Sequence, residues 1–335
     1  MRSTTIALLA LVAPVLLASF AEAAGVVGDG NPGTCTEAAF DQALVGGGTV
    51  TFSCGGGLVV IPITTTKTLT TDTTIDGSGQ QIVLDGQGAV RLFETTYQFS
   101  SFTITLRNLT LTNARGSDFG GAIRLRYQDF LTTLNIENVT FSNDTCADAG
   151  PDVGGGALHA VTGFVNIHNS VFSGNSGGNG GAIGQIQAHL TIEDSVFTGN
   201  FTHPTSGGQG GNGGAVYVDG SDDGMIVIHR TQFLGNASTN LGGAIHTYQY
   251  AGASGVEIED ADFDSNTTQN NGGAIYHQNG TLSISGSTFS HNVTIGQGGA
   301  LWLLQASTTS ITNSTFEGND AVGQQPNNGS TGLGG

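Results

Sequence analysis

The sequence is short of charge, above all of positive charge. Its 335 residues hold 8 Lys and Arg against 26 Asp and Glu, a net charge of −18, and only 10% of residues are charged, where an ordinary globular domain has roughly 25%. No Lys or Arg follows Arg230. So acidic a chain is unsuited to nucleic-acid phosphates or anionic lipid, and no nucleic-acid partner is expected. Cysteine is scarce as well, and three widely spaced Cys make no zinc site, so no metal centre is predicted from them. Helical i, i+3, i+4 spacing is missing from about residue 100 onward, and the sequence has no nucleophile elbow, phosphate loop or HExxH. Beyond the first 20 residues no apolar run is long enough to span a bilayer, so the mature chain is expected to have no transmembrane span.

What the sequence has instead is glycine, 55 residues of it, and repetition. Gly-Gly-Ala recurs with its alanine at 122, 157, 182, 215, 244, 274 and 300, each followed by an aliphatic: Ile123, Leu158, Ile183, Val216, Ile245, Ile275 and Leu301. Between these triplets stands Phe-x-x-Asn, as Phe172/Asn175, Phe197/Asn200, Phe233/Asn236, Phe263/Asn266, Phe289/Asn292 and Phe316/Asn319. Phe141 opens a variant with Asn143 and Asp144. Ahead of each Phe, segments such as Val165-Asn-Ile167 and Val256-Glu-Ile258 place aliphatics two apart, the period of a half-buried strand. Identical signatures in identical order predict one parallel strand set per coil. The expected fold is therefore all-β, a single-stranded right-handed parallel β-helix, with coils about 4.8 Å apart. Each Phe then stacks on the next Phe, and the Asn residues form an amide ladder at a turn.

The N-terminal part is organised differently. Arg2, an apolar run from Ile6 to Leu17 and Ala21-Glu22-Ala23 predict a signal peptide over residues 1–23, hence a secreted or cell-surface protein. Export favours disulfides, and Cys35 and Cys54, flanking one short segment, are expected to pair, leaving Cys146 over. Thr34-x-x-Glu37 reads as a capping box opening a helix from Cys35 to Leu44, with Ala38, Ala39, Ala43 and Leu44 as its apolar side. Residues 24–48 are predicted to cover the first coil of a β-helix over 49–335, with the repeats from about residue 100. The chain stops at Thr331-Gly-Leu-Gly-Gly335, where another triplet would begin, so a continuing chain or a separate cover is expected there.

The alternation of GGA[I/L/V] with FxxN resembles the repeats of chlamydial polymorphic outer-membrane proteins and related bacterial surface proteins, over roughly residues 100–335. The N-terminal half resembles the entry region of secreted pectin-lyase-like β-helix proteins. The resemblance implies adhesion, usually as the passenger of an autotransporter; the alternating ten-residue strands of a translocator barrel are not among these residues. It also implies an alternative, a polysaccharide lyase acting through carboxylate-bound Ca²⁺ and an Arg base. Arg107, Arg115, Arg124 and Arg126, with Asp118 and Asp129, are the place for such chemistry, but no catalytic motif matches residue by residue. Catalytic residues are left unassigned, and a non-enzymatic module is the preferred expectation.

Two columns are candidates for binding. If the aliphatic after each triplet faces inward, the next residue faces out, giving Arg124, His159, Gly184, Tyr217, His246, Tyr276 and Trp302. Flat rings pack on sugars, so Tyr217, His246, Tyr276 and Trp302 are candidate ligand-binding residues for a polysaccharide or host-surface ligand; the preference of aromatics for strands is the competing explanation. Four residues before each Phe lie Glu137, His168, Glu193, His229 and Glu259, with Arg107 one coil earlier. This alternation is read first as avoidance of like charges on neighbouring strands, and second as a metal-binding or pH-sensitive strip. No cofactor is expected beyond Ca²⁺, for which Asp219/Asp222/Asp223 and Asp262/Asp264/Asn266 are the acidic loops. Ten Asn-x-Ser/Thr sequons occur, and those at Asn200, Asn236, Asn266 and Asn292 fall in the ladder, where a glycan does not fit.

Overall fold

The computed structural model describes residues 25–97, 100–126, 132–146, 150–203, 210–220, 225–250, 255–306 and 308–323. The segment read as a signal peptide lies outside them. The described chain is a parallel β-helix with one α-helix near its N-terminus. Every strand pairs in parallel with its equivalent in the next coil, in sheets of 19, 9 and 8 strands. One coil shows the plan: Ile183–Ile186, then His189–Glu193, Val196–Thr198 and Phe201–Thr202. The second and third strands belong to the same large sheet, bent at a corner. Each corner needs a residue in the left-handed region: Gln187, Asp194 and Gly199 have φ of 55°, 50° and 60°. Asn, Asp and Gly tolerate that conformation best, which explains their recurrence at corners.

The phenylalanines stack as the repeat predicts. From Phe141 through 172, 197, 233, 263 and 289 to Phe316, successive ring centroids are 4.6–5.0 Å apart and the rings nearly parallel. Ile61, Leu84 and Leu111 extend the same column downward. The rings from Phe141 to Phe289 are fully buried.

Beside them runs the asparagine ladder. Asn236 is typical: its Nδ2 donates to Asn266 Oδ1 at 3.0 Å and to the Phe197 carbonyl at 2.9 Å. Its Oδ1 accepts from the Asn200 backbone N–H at 3.0 Å and from Asn200 Nδ2 at 2.9 Å. Two donors and two lone pairs are thus all used, so full burial leaves nothing unsatisfied. The same set links Asn175, Asn200, Asn236, Asn266, Asn292 and Asn319. Asp144 begins the ladder, and its Oδ2, where the others present Nδ2, is buried without a partner. Burial pushes this carboxyl well above the usual carboxylate range.

The Gly-Gly-Ala triplet has an equally local cause. Gly180 adopts φ +62°, and a Cβ on Gly181 would lie 2.1 Å from the Gly214 carbonyl oxygen. The first glycine supplies the conformation, and the second lets neighbouring coils approach. The alanines form a column of backbone bonds, such as Ala182 N–H to Ala215 O at 2.9 Å.

At the N-terminus, Cys35 and Cys54 form the expected disulfide. The helix, α1, spans Glu37–Leu44 and is capped by Thr36, whose side chain accepts from Ala39 N–H. This corrects the Thr34 capping box: Thr34 belongs to the 3-10 turn Pro32–Thr34 and bonds Asp29. The buried side of α1 is Phe40 and Ala43, whereas Ala38 is exposed. Phe40 packs against Phe52 at 6.0 Å and Phe93 at 6.3 Å. Glu37 anchors the helix to the coil by accepting from Thr64 and Thr65 and pairing with Lys67 at 2.6 Å. Burial opposes its ionisation, but these partners hold the carboxyl down at about 2.

Substitution at the ladder tests this packing. Asn236→Ala orphans the Asn200 amide groups and the Phe197 carbonyl. At about 1–3 kcal/mol per buried unsatisfied group, it is expected to lower Tm markedly by circular dichroism. Asp144→Asn is expected to do the reverse, since it supplies the missing donor. A carboxyl raised by folding favours the folded state below its unfolded pKa and loses that contribution as pH rises. The gain from Asp144→Asn is therefore expected to be larger at pH 7 than at pH 4.

Candidate functional site

The predicted ring column exists in register: Arg124, His159, Gly184, Tyr217, His246, Tyr276 and Trp302 are successive partners. Tyr217, His246 and Tyr276 stack at 5.2 and 5.0 Å. Their exposure differs from expectation. Tyr217, His246 and Tyr276 are 7%, 6% and 5% exposed, and His159 is 1% exposed; Trp302 alone of the candidate rings is half-buried. The reason is visible at Gly184, where a Cβ would meet the backbone of Gly154 and Gly155 and the His159 ring. The chain entering the Gly155-Gly156 turn passes over this face at Gly184, and Phe119, just ahead of Gly120-Gly121, packs on the His159 ring at 4.6 Å. The column thus forms a second packed stack and presents no open platform along its length.

The strip on the large sheet is open. Asp76, Arg107, Glu137, His168, Glu193, His229 and Glu259 are successive register partners. Acid and base alternate along it. Arg107 Nε lies 2.9 Å from Asp76, and His229 Nδ1 lies 3.6 Å from Glu193. His168 Nε2 instead meets Asp194 at 3.1 Å, and Arg230 pairs with the same Asp194 at 2.7 Å. This relieves the like-charge contact that identical coils would impose. Beside the strip lies a second outward column, Thr105, Asn135, Asn166, Thr191, Val227, Glu257, Ser283 and Ser310. Most of its side chains are short and polar, so this wall is flat.

Three arginines of the cluster are already engaged in ion pairs, sharing two carboxylates. Arg91 pairs with Asp118 and, at 3.2 Å, with Glu94; Arg124 pairs with Asp118 at 2.5 Å, and Arg126 with Glu94 at 2.9 Å. Burial lowers the Arg124 guanidinium despite Asp118. Arg91 was not singled out by sequence, although it is the most enclosed member. Arg107 pairs elsewhere, with Asp76, and Arg115 is exposed; Asp129 lies outside the described residues.

The acidic loops fare differently. Asp222 and Asp223 lie outside the described residues, while Asp219 accepts from the Tyr250 hydroxyl at 3.1 Å. Asp262 and Asp264 flank Phe263 and face outward. Asn266 is not available to an ion, because its oxygen accepts two ladder bonds and is buried. Among the described residues no helix is long and apolar enough to cross a membrane.

Compared with known proteins, the chain matches the model of the Chlamydia polymorphic membrane protein repeat at residues 230–248 and 260–278. Each match runs from a corner of the large sheet through Phe-x-x-Asn to the Gly-Gly-Ala strand. No curated protein matches the chain, and no solved structure does.

The buried imidazoles set a pH dependence. Burial drives His159 and His246 down to about 3, and His277 to about 4. Unfolded histidines titrate near 6.5, so unfolding takes up protons between these limits. Stability is full above about pH 6.5 and falls on acidification, by about 1.4 kcal/mol per pH unit per histidine. His246→Phe keeps the ring stack and removes a buried Nδ1 that has no partner. The drop in Tm between pH 7 and pH 5 is expected to shrink in this variant; an unaltered drop contradicts the neutral, buried assignment.

Proposed function

We propose that this parallel β-helix, built on repeats of the Chlamydia polymorphic membrane protein type, is an exported surface module of adhesin-like function. Its flat polar wall would contact an extended ligand such as a polysaccharide or a host-surface chain. The observation that supports this most is the continuity of that wall. Outward side chains from Thr105 to Ser310 repeat in register coil after coil. A surface of that form gives many equivalent weak contacts, which suits a repetitive ligand through multivalency. The repeat match supports surface display, because the matched family is one of membrane proteins.

A second reading, a polysaccharide lyase, has one observation in its favour: Arg124 is partly buried with its pKa lowered, as a guanidinium base requires. Its contact with Asp118 opposes this. Ca²⁺-dependent formation of unsaturated product that is abolished by Arg124→Ala would establish the lyase.

Binding is tested with the chain displayed on beads against polysaccharides and cell surfaces. Thr191→Trp and Asn166→Trp, which raise a bulk on the flat wall, are expected to weaken binding at least tenfold. Thr198→Trp, on the adjoining wall, is expected to leave it unchanged. Equal loss in all three, or binding to nothing in the panel, contradicts the proposal.

A further inference from the structure

We propose that His229, Glu257 and Glu259 form a binding site for a divalent first-row transition cation, with Zn²⁺ as its natural probe. The site lies on the open wall where two consecutive coils meet, and it stands independently of the adhesin-like reading.

The geometry carries this. His229 Nε2 lies 3.5 Å from a Glu257 oxygen and 3.9 Å from a Glu259 oxygen. All three ligand atoms fall within 4.8 Å of one another. These separations are too long for hydrogen bonds, whose N···O distance is about 2.7–3.2 Å. The two nitrogen–oxygen separations are close to the spacing of ligands around one ion, since two donors each about 2.1 Å from a tetrahedral Zn²⁺ stand about 3.4 Å apart, and the exposed Glu259 carboxylate would swing inward to complete the set.

Nε2 itself is buried and has no hydrogen-bond partner, an anomaly that a bound cation removes. The other ring nitrogen, Nδ1, faces Glu193 at 3.6 Å from the preceding coil. A carboxylate on that side supports a metal-bound imidazole once it closes to hydrogen-bond distance, which from here takes a side-chain shift of about half an ångström. Three coils therefore contribute: Glu193 faces the second nitrogen, His229 offers nitrogen, and Glu257 and Glu259 offer oxygen.

Charge and ligand chemistry agree. Glu193, Glu257, Glu259 and Asp260 outnumber Arg230, which is engaged with Asp194 and Glu193. One imidazole with two carboxylates suits Zn²⁺ or a similar ion, whereas Ca²⁺ takes six to eight oxygens and no nitrogen. Bound there, the cation would tie Met225–His229 to Gly255–Glu259 in addition to their backbone bonds.

The test is calorimetric titration of the untagged, metal-stripped chain with Zn²⁺ and, separately, Ca²⁺, together with Tm in each ion. One equivalent of Zn²⁺ is expected to bind and raise Tm, with Ca²⁺ ineffective. His229→Gln and Glu257→Gln are expected to weaken Zn²⁺ at least tenfold. Both positions are on the wall surface, and unchanged circular dichroism establishes that the variants fold. His168→Gln, in the same column but outside the cluster, is expected to bind like the parent. No Zn²⁺ binding, or binding of equal strength in His229→Gln, overturns the proposal and leaves the cluster an ion pair. Preference for Ca²⁺ overturns the assigned ion class.

Discussion

Each side chain in this fold must be compatible with its own copy about 5 Å away, because parallel coils place equivalent residues directly over one another. That constraint selects residues that attract their own kind. Phenylalanine stacks face to face. Asparagine donates and accepts equally, so one amide satisfies the next indefinitely. Glycine and alanine let backbones close at the turns. Charge is the reverse case: a carboxylate over a carboxylate repels. Hence the chain has few charges, and along the open strip acids alternate with Arg or His.

The same rule explains where the repetition fails. Asp144 is a carboxyl in an amide ladder, and burial pushes its ionisation well above the usual carboxylate range. Glu257 and Glu259 lie on one strand, so their excess charge is not relieved by alternation, and it is beside them that a buried imidazole nitrogen makes no hydrogen bond. Departures from the repeat are thus the informative positions on an otherwise uniform wall.

Much of this was legible from residues alone. The spacing of Phe-x-x-Asn and Gly-Gly-Ala determines the parallel coil, the ring stack and the ladder, because each depends on neighbours of known identity. The disulfide followed from compartment and proximity. Other features depended on information that spacing does not carry. Alternation says that His246 and Tyr276 point away from the core, but not that both are buried there. Gly184, the one glycine among rings, was the signal of a close backbone approach over this face. Thr36 displaced Thr34 as cap because Pro32-Gly33 commits Thr34 to a 3-10 turn. Phe40 was hidden in an alanine-rich helix, and its burial depends on Phe52 and Phe93, which are remote in sequence. His229 and Glu259 stand in the strip that spacing reveals, whereas Glu257 belongs to the column beside it and joins them only through cross-strand register.

The vertical amide ladder is the most direct expression of coil-on-coil register, and side-chain hydrogen exchange measured by NMR addresses it without mutation. If the coils stack as described, the Nδ2 protons of Asn200, Asn236 and Asn266 exchange as slowly as the most protected backbone amides, while those of the exposed Asn313 exchange freely. Equal, rapid exchange at all four asparagines would contradict the account, since coils stacked in this register close the three ladder amides to water.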